Sequence, residues 1–131
     1  MKVLALDHGA ARTGVAVCDE TGTIVRPLGV VERVDTQAGF AALLDLLAEH
    51  APARVVVGLP VSLDGREHAQ AGRARAFAAR LAGACGVPVE LYDERFTSKV
   101  ADRRGGKAAR DARAAATLLE DYLRYIGEQT P

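Results

Sequence analysis

The sequence predicts an α/β domain: a five-stranded mixed sheet flanked by helices, with a three-stranded antiparallel meander joined to two parallel strands. Three observations carry this expectation. The apolar runs Val3 to Leu6 and Val15 to Cys18 are separated by a short glycine-bounded loop, His8 to Gly14, as in a hairpin. Two later apolar runs, Val55 to Val57 and Val87 to Tyr92, each follow a segment of helical periodicity, the arrangement that builds parallel strands through crossovers. The 131 residues suffice for one sizeable core, so residues 1–131 are read as a single domain.

Each element has a local reason. The first strand ends on Asp7, and its partner begins behind Arg12-Thr13-Gly14. Thr21-Gly22 supplies a turn into a third strand over Ile24-Val25 and Leu28 to Val31, which Pro27 restricts to a sheet edge or a bulge. Phe40, Leu43, Leu44 and Leu47 recur at helical spacing behind a cap at Asp35-Thr36. Arg54 to Gly58 reads as a central strand buried on both faces, ended by Gly58-Leu59-Pro60. Asp64-Gly65 then turns the chain. A long helix is expected from about Glu67 to Ala84, with Ala74, Phe77, Ala78, Leu81 and Cys85 as its buried stripe and Arg73 and Arg80 on another face. The fifth strand runs straight into Asp93-Glu94. A short helix is expected over about Ser98 to Arg103, broken by Gly105-Gly106. The last helix should bury Ala112, Ala115, Ala116, Leu119, Leu123 and Ile126, with Asp111 in its first turn.

Composition excludes several classes. Hydrophobic residues are 49%, charged residues 26% and the formal net charge is zero, an ordinary globular balance. A nucleic-acid partner must therefore be argued from local patches. Cys18 and Cys85 lack metal-ligand spacing and read as small buried residues, which fits a reducing, cytoplasmic setting. Neither a signal peptide nor an apolar stretch long enough to cross a bilayer is seen, so no membrane association is expected.

The chemistry rests on acids at element ends: Asp7 at the tip of strand one, Asp93 and Glu94 at the tip of strand five, and Asp111 at the last helix. In open sheets with crossover helices, ligands bind beyond the carboxyl ends of the strands, so all four acids are candidates for one cleft. Carboxylates gathered there would hold divalent cations, Mg²⁺ or Mn²⁺, for phosphoryl transfer. The plainer reading makes Asp7 a turn residue, Asp93 a helix cap and Asp111 a favourable charge at a helix N-terminus. His8, beside Asp7, reads either as a ligand or proton shuttle, or as a tolerated side chain.

Four segments resemble the YqgF/RuvX family, in family order and across nearly the whole chain. They are Leu4-Ala5-Leu6-Asp7-His8-Gly9 through Arg12-Thr13-Gly14-Val15-Ala16-Val17, Val56-Val57-Gly58-Leu59-Pro60 with Asp64-Gly65, Asp93-Glu94-Arg95-Phe96-Thr97-Ser98, and Asp111-Ala112-Arg113-Ala114-Ala115. The resemblance implies a ribonuclease H-like fold and a metal-dependent nuclease maturing the 16S rRNA precursor at its 5′ end, or a Holliday junction resolvase-like enzyme. It maps the family's three acidic positions, catalytic and metal-binding, to Asp7, Glu94 and Asp111, with Asp93 as the alternate to Glu94. Two departures stand out: His8 replaces an apolar or aromatic residue, and the segment between Glu94 and Asp111 is short.

From Arg95 to Arg113 the bases outnumber the acids, and Arg95, Lys99, Arg103, Arg104 and Lys107 are candidate phosphate contacts, with Arg12 from the first loop. The expected partner is a ribosomal RNA precursor or branched DNA. The resolvase version requires a homodimer, whereas the ribonuclease version is compatible with a monomer. A non-catalytic RNA-binding ribosome-assembly module and an ATP-handling domain of the actin/sugar-kinase type are the competing readings. The second would need another lobe, for which this chain has no room.

Overall fold

A computed structural model of the chain describes residues 1–60, 69–93 and 106–129. The turn expected at Asp64-Gly65, the helix expected over Ser98 to Arg103, and Glu94, Arg95, Lys99, Arg103 and Arg104 lie outside the described residues.

Among the described residues, β1 (Val3–Asp7), β2 (Arg12–Cys18), β3 (Val25–Glu32), β4 (Arg54–Leu59) and β5 (Val89–Asp93) form one five-stranded sheet in the order β3-β2-β1-β4-β5. β1 pairs antiparallel with β2 and β2 with β3, while β4 runs parallel to both β1 and β5. The expected meander with two parallel strands is thus observed. Both expectations for Pro27 hold as well. β3 is an edge strand among the described residues, and the pairs Val15–Gly29 and Ala16–Pro27 leave Leu28 as the extra residue of a bulge. Gly29 takes the positive φ (121°) that this irregularity requires.

Helices cover both faces. On one side α1 (Gln37–His50) and α2 (Ala69–Cys85) pack Phe40, Leu43, Leu47, Phe77 and Leu81 against Leu4, Leu6, Val15, Val17, Val55 and Val57. On the other, α3 (Lys107–Gln129) packs Ala115, Ala116, Leu118, Leu119 and Tyr122 against Val3, Ala5, Ala16, Cys18 and Val56. The central strands are therefore buried on both faces and read as continuous apolar runs. Thr36 caps α1, its hydroxyl accepting from the Gly39 amide at 3.1 Å.

Three details differ from expectation. α3 begins at Lys107, so Asp111 lies one turn inside the helix instead of in its first turn. Cys85 is half-buried, because it closes α2 at the rim of the core; Cys18 is fully buried. The buried stripe of α3 is wider than its alanine periodicity implies, since the helix lies across the sheet and also covers Leu118 and Tyr122.

Among the described residues, Tyr122 is the largest fully buried side chain. Its hydroxyl donates to Glu90 on β5 and accepts from Arg54 Nη1 on β4 at 2.7 Å, so one side chain fixes α3 to two strands. Burial, and then the bond to Glu90, push this phenol above the ordinary tyrosine range.

Gly14 sets how closely α3 approaches the sheet. A Cβ at this position would lie 1.9 Å from the Asp111 carbonyl oxygen, so only glycine lets the helix backbone rest on β2. Gly14→Ala must push the two backbones apart and is expected to lower stability by about 1–3 kcal/mol in urea unfolding. Tyr122→Phe is expected to cost about 1 kcal/mol by the same measurement, because it strips Glu90 and Arg54 of a shared partner but keeps the ring packing.

Candidate active site

Strand alternation assigns the side chains at the end of β1. Val3 and Ala5 face α3 while Leu4 and Leu6 face α1 and α2, so Asp7 belongs to the α3 face and His8 to the opposite one. Asp7 pairs across the hairpin with Gly14. On its other side, β1 and β4 are in register through Leu6 and Val57, and one further step brings Gly58 beside Asp7. The carboxylate thus has glycine on both neighbouring strands, and the space over Gly14 is taken by the α3 backbone.

The same glycine brings in the second acid. Gly14 touches the backbone of α3 at Asp111, on the α3 face and directly across from Asp7. Two acids separated by more than a hundred positions in sequence are therefore brought to the same end of β1, one on the strand and one on the helix that rests on Gly14. Asp111 is half-buried, and its Oδ2 accepts a hydrogen bond from Arg12 Nε at 2.8 Å. Arg12, expected as a phosphate contact, is thus paired with one of the acids.

Asp93 is placed differently. It follows Val89 and Leu91, which pack on the α1–α2 side, so alternation along β5 sets it on that side, although as the last strand residue it also borders a cleft shared with α3. Among the described residues no group of three or more histidines, cysteines or acids could hold a metal ion, and Glu94 lies outside them. The donors contributed by Asp7 and Asp111 are hard carboxylate oxygens, the chemistry suited to Mg²⁺ or Mn²⁺. Lys107 is exposed at the start of α3, four residues before Asp111.

His8 turns away from this edge. Its ring is buried and stacks on Phe77 with centroids 4.7 Å apart, and Nε2 lies 3.2 Å from both carboxylate oxygens of Asp35. It ties the end of β1 to the segment preceding α1. A ligand or proton-shuttle role beside Asp7 does not fit this placement; the ring is a packed part of the α1–α2 side. Among the aromatic residues, Phe40 and Phe77 are buried, and Tyr92 packs edge-on against Tyr122 at 5.7 Å. Phe96 lies outside the described residues.

A cleft of about 450 Å³ runs along β5 and the C-terminal half of α3, lined by Glu90, Tyr92, Asp93, Asp121, Arg124 and Glu128 among others. Its acids outnumber its single guanidinium, so it is a poor seat for a polyanion. The carboxyl edge of β1 is where phosphate chemistry fits. Residue reasoning missed Gly14, although a glycine inside a strand commonly marks a close approach, and it missed the Asp35 partner of His8.

Comparison with known proteins identifies the family and the fold. The family model RuvX: Holliday junction resolvase matches residues 1–125. A protein of Anaeromyxobacter sp. (strain Fw109-5), provisionally named pre-16S rRNA nuclease, is 44% identical over 94% of this chain and 96% of its own length. One from Bordetella parapertussis with the same name is 43% identical over 92% of each. Among solved structures, Thermus thermophilus RuvC in complex with a Holliday junction substrate aligns with a TM-score of 0.59 at 21% identity, covering 95% of this chain and 96% of that one. The fowlpox virus Holliday junction resolvase aligns with a TM-score of 0.59 at 10% identity, covering 95% and 99%. These two likenesses establish the ribonuclease H-like resolvase fold. With the family model spanning nearly its whole length and curated relatives above 40% identity, this chain belongs to the RuvX family.

Proposed function

We infer that the protein is a divalent-metal-dependent nuclease hydrolysing phosphodiester bonds of structured RNA, and that its task is maturation of the 16S rRNA precursor at the 5′ end in the cytoplasm. The observation that carries this is the meeting of Asp7 and Asp111 across Gly14, at the sheet edge where this fold class binds ligands. The RNA assignment draws on the names of the curated relatives.

Asp7 and Asp111 would hold the cations, with Glu94 as the third acid. The opposite facing of Asp93 supports Glu94 over its neighbour. Bound Mg²⁺ or Mn²⁺ would supply a water of lowered pKa and neutralise charge on the leaving oxygen. The chain's own share is positioning. The β1 carboxylate and the α3 carboxylate are fixed by packed backbone, while Arg12, Lys107 and the basic stretch Arg95, Lys99, Arg103 and Arg104 would hold the backbone phosphates. A second reading, a resolvase-type DNA endonuclease, is favoured by the description of the family model and would need two sites on one junction, hence a homodimer.

Asp7→Asn is expected to reduce Mg²⁺- or Mn²⁺-dependent cleavage of an extended 16S rRNA precursor fragment by more than about 100-fold, a larger loss than is usual for groups that only support a ligand. RNA binding and the circular-dichroism melt should be retained, and undiminished cleavage would remove Asp7 from the mechanism. Glu94→Gln should match that loss, whereas Asp93→Asn should leave more than half of the activity. The reverse order would transfer the third position to Asp93. Matched RNA and junction-DNA substrates in the same assay decide between the two readings.

A further inference from the structure

The proposed site contains its own cation. Arg12 opens β2, and its Nε donates to Asp111 Oδ2 at 2.8 Å across 99 positions of sequence. Both side chains are about one-third exposed, at 32% and 35%. The contact uses one guanidinium nitrogen and one carboxylate oxygen, not the two-pronged geometry that makes arginine–carboxylate pairs strong. A pair of this exposure is weak and responds to competing charges. It nevertheless places a positive charge on a carboxylate that the reading above gives to a divalent ion, beside Asp7 across Gly14. Guanidinium binds phosphate as readily as carboxylate, and a nucleic acid at this edge presents a row of phosphates.

We propose that Arg12 is an exchangeable counter-cation of Asp111: it holds the carboxylate while the site is empty, moves onto a backbone phosphate when nucleic acid arrives, and so frees Asp111 for the divalent ion. This rests on the nuclease reading and adds to it a coupling between substrate and metal. By linkage, nucleic acid must then tighten metal binding, and metal must tighten nucleic-acid binding by the same factor. Arg12 would hold the Asp111 carboxylate in place without metal and would limit loading of an enzyme that has no substrate.

The test is Mn²⁺ binding to the full chain, followed by the paramagnetic resonance of the free ion, with and without a cleavage-resistant phosphorothioate RNA duplex. Arg12→Gln is expected to bind Mn²⁺ about fivefold more tightly without RNA, the scale of a half-exposed ion pair. The further tightening produced by RNA should shrink by a similar factor. Arg110→Gln removes a neighbouring exposed guanidinium and measures the general effect of losing one positive charge, expected to be less than about twofold. Arg12→Lys, which keeps the charge, should stay near the parent.

Weaker Mn²⁺ binding by Arg12→Gln would make Arg12 a positioning residue and overturn the exchange. A gain no larger than that of Arg110→Gln would overturn it too, reducing Arg12 to background charge. Asp111→Asn separates the two levels of the argument. Unchanged Mn²⁺ binding there would remove Asp111 from the metal site, and both the nuclease site and the exchange would fall. Lost binding there, with an unaltered Arg12→Gln, would remove the exchange alone.

Discussion

The site depends on the seat of α3 against β2. The helix backbone touches the strand at Gly14, where any side chain would overlap the Asp111 carbonyl. That contact fixes the height of the helix above the sheet and the point along β2 at which Asp111 stands. Because Gly14 is also the cross-strand partner of Asp7, the same contact sets the spacing between the two acids. Farther along, Tyr122 keeps α3 from sliding by holding Glu90 and Arg54. One end of the helix is set by the lack of a side chain and the other by a hydrogen-bonded phenol. The geometry of the acids therefore follows from packed backbone, which resists displacement far better than a surface loop does.

The tip of β1 serves two purposes because successive residues of a strand face opposite ways. Asp7 goes to the face under α3, with Gly14 beside it on β2. His8 goes to the other face, where Phe77 and Asp35 hold its ring. The histidine anchors the strand end on one side, while the Asp7 carboxylate belongs to the other. Adjacency in sequence suggested a shared site for the two residues, and alternation separates them by the thickness of the sheet.

The sequence carried the fold well because the relevant signals are local. The hairpin, the helical spacings and the unbroken apolar run of β4 each follow from burial on one face or two. Acids at strand ends were equally visible. The choice between Asp93 and Glu94 was not, because it depends on how β5 registers against β1 through β4, and that register is set by two helical crossovers. The start of α3 was misplaced by a turn for a similar reason: alanine, arginine and lysine at its beginning favour helix without marking where it starts. Leu118 and Tyr122 fell outside the expected stripe because a helix lying across a sheet buries more than the narrow face that its periodicity indicates. Gly14 could have been found, as a strand-interior glycine two residues after a loop arginine.

The site chemistry itself is indifferent to which nucleic acid is cut. On the proposed reading, the carboxylates would grip cations and a guanidinium would meet phosphate, the feature RNA and DNA share. Choice of substrate must then come from surfaces that respond to the shape of the backbone around the scissile bond. The formal net charge is zero, so no general attraction draws in every polyanion, and the acidic cleft along β5 repels phosphate from that flank. Bases are concentrated near the start of α3 instead. With the proposed partners, a basic approach at the start of α3 and the acidic flank along β5 would restrict the directions from which a duplex or a junction enters. Discrimination by direction of entry lets one constellation of acids serve a ribosomal precursor or a branched DNA in different members of a fold, with the acids themselves unchanged.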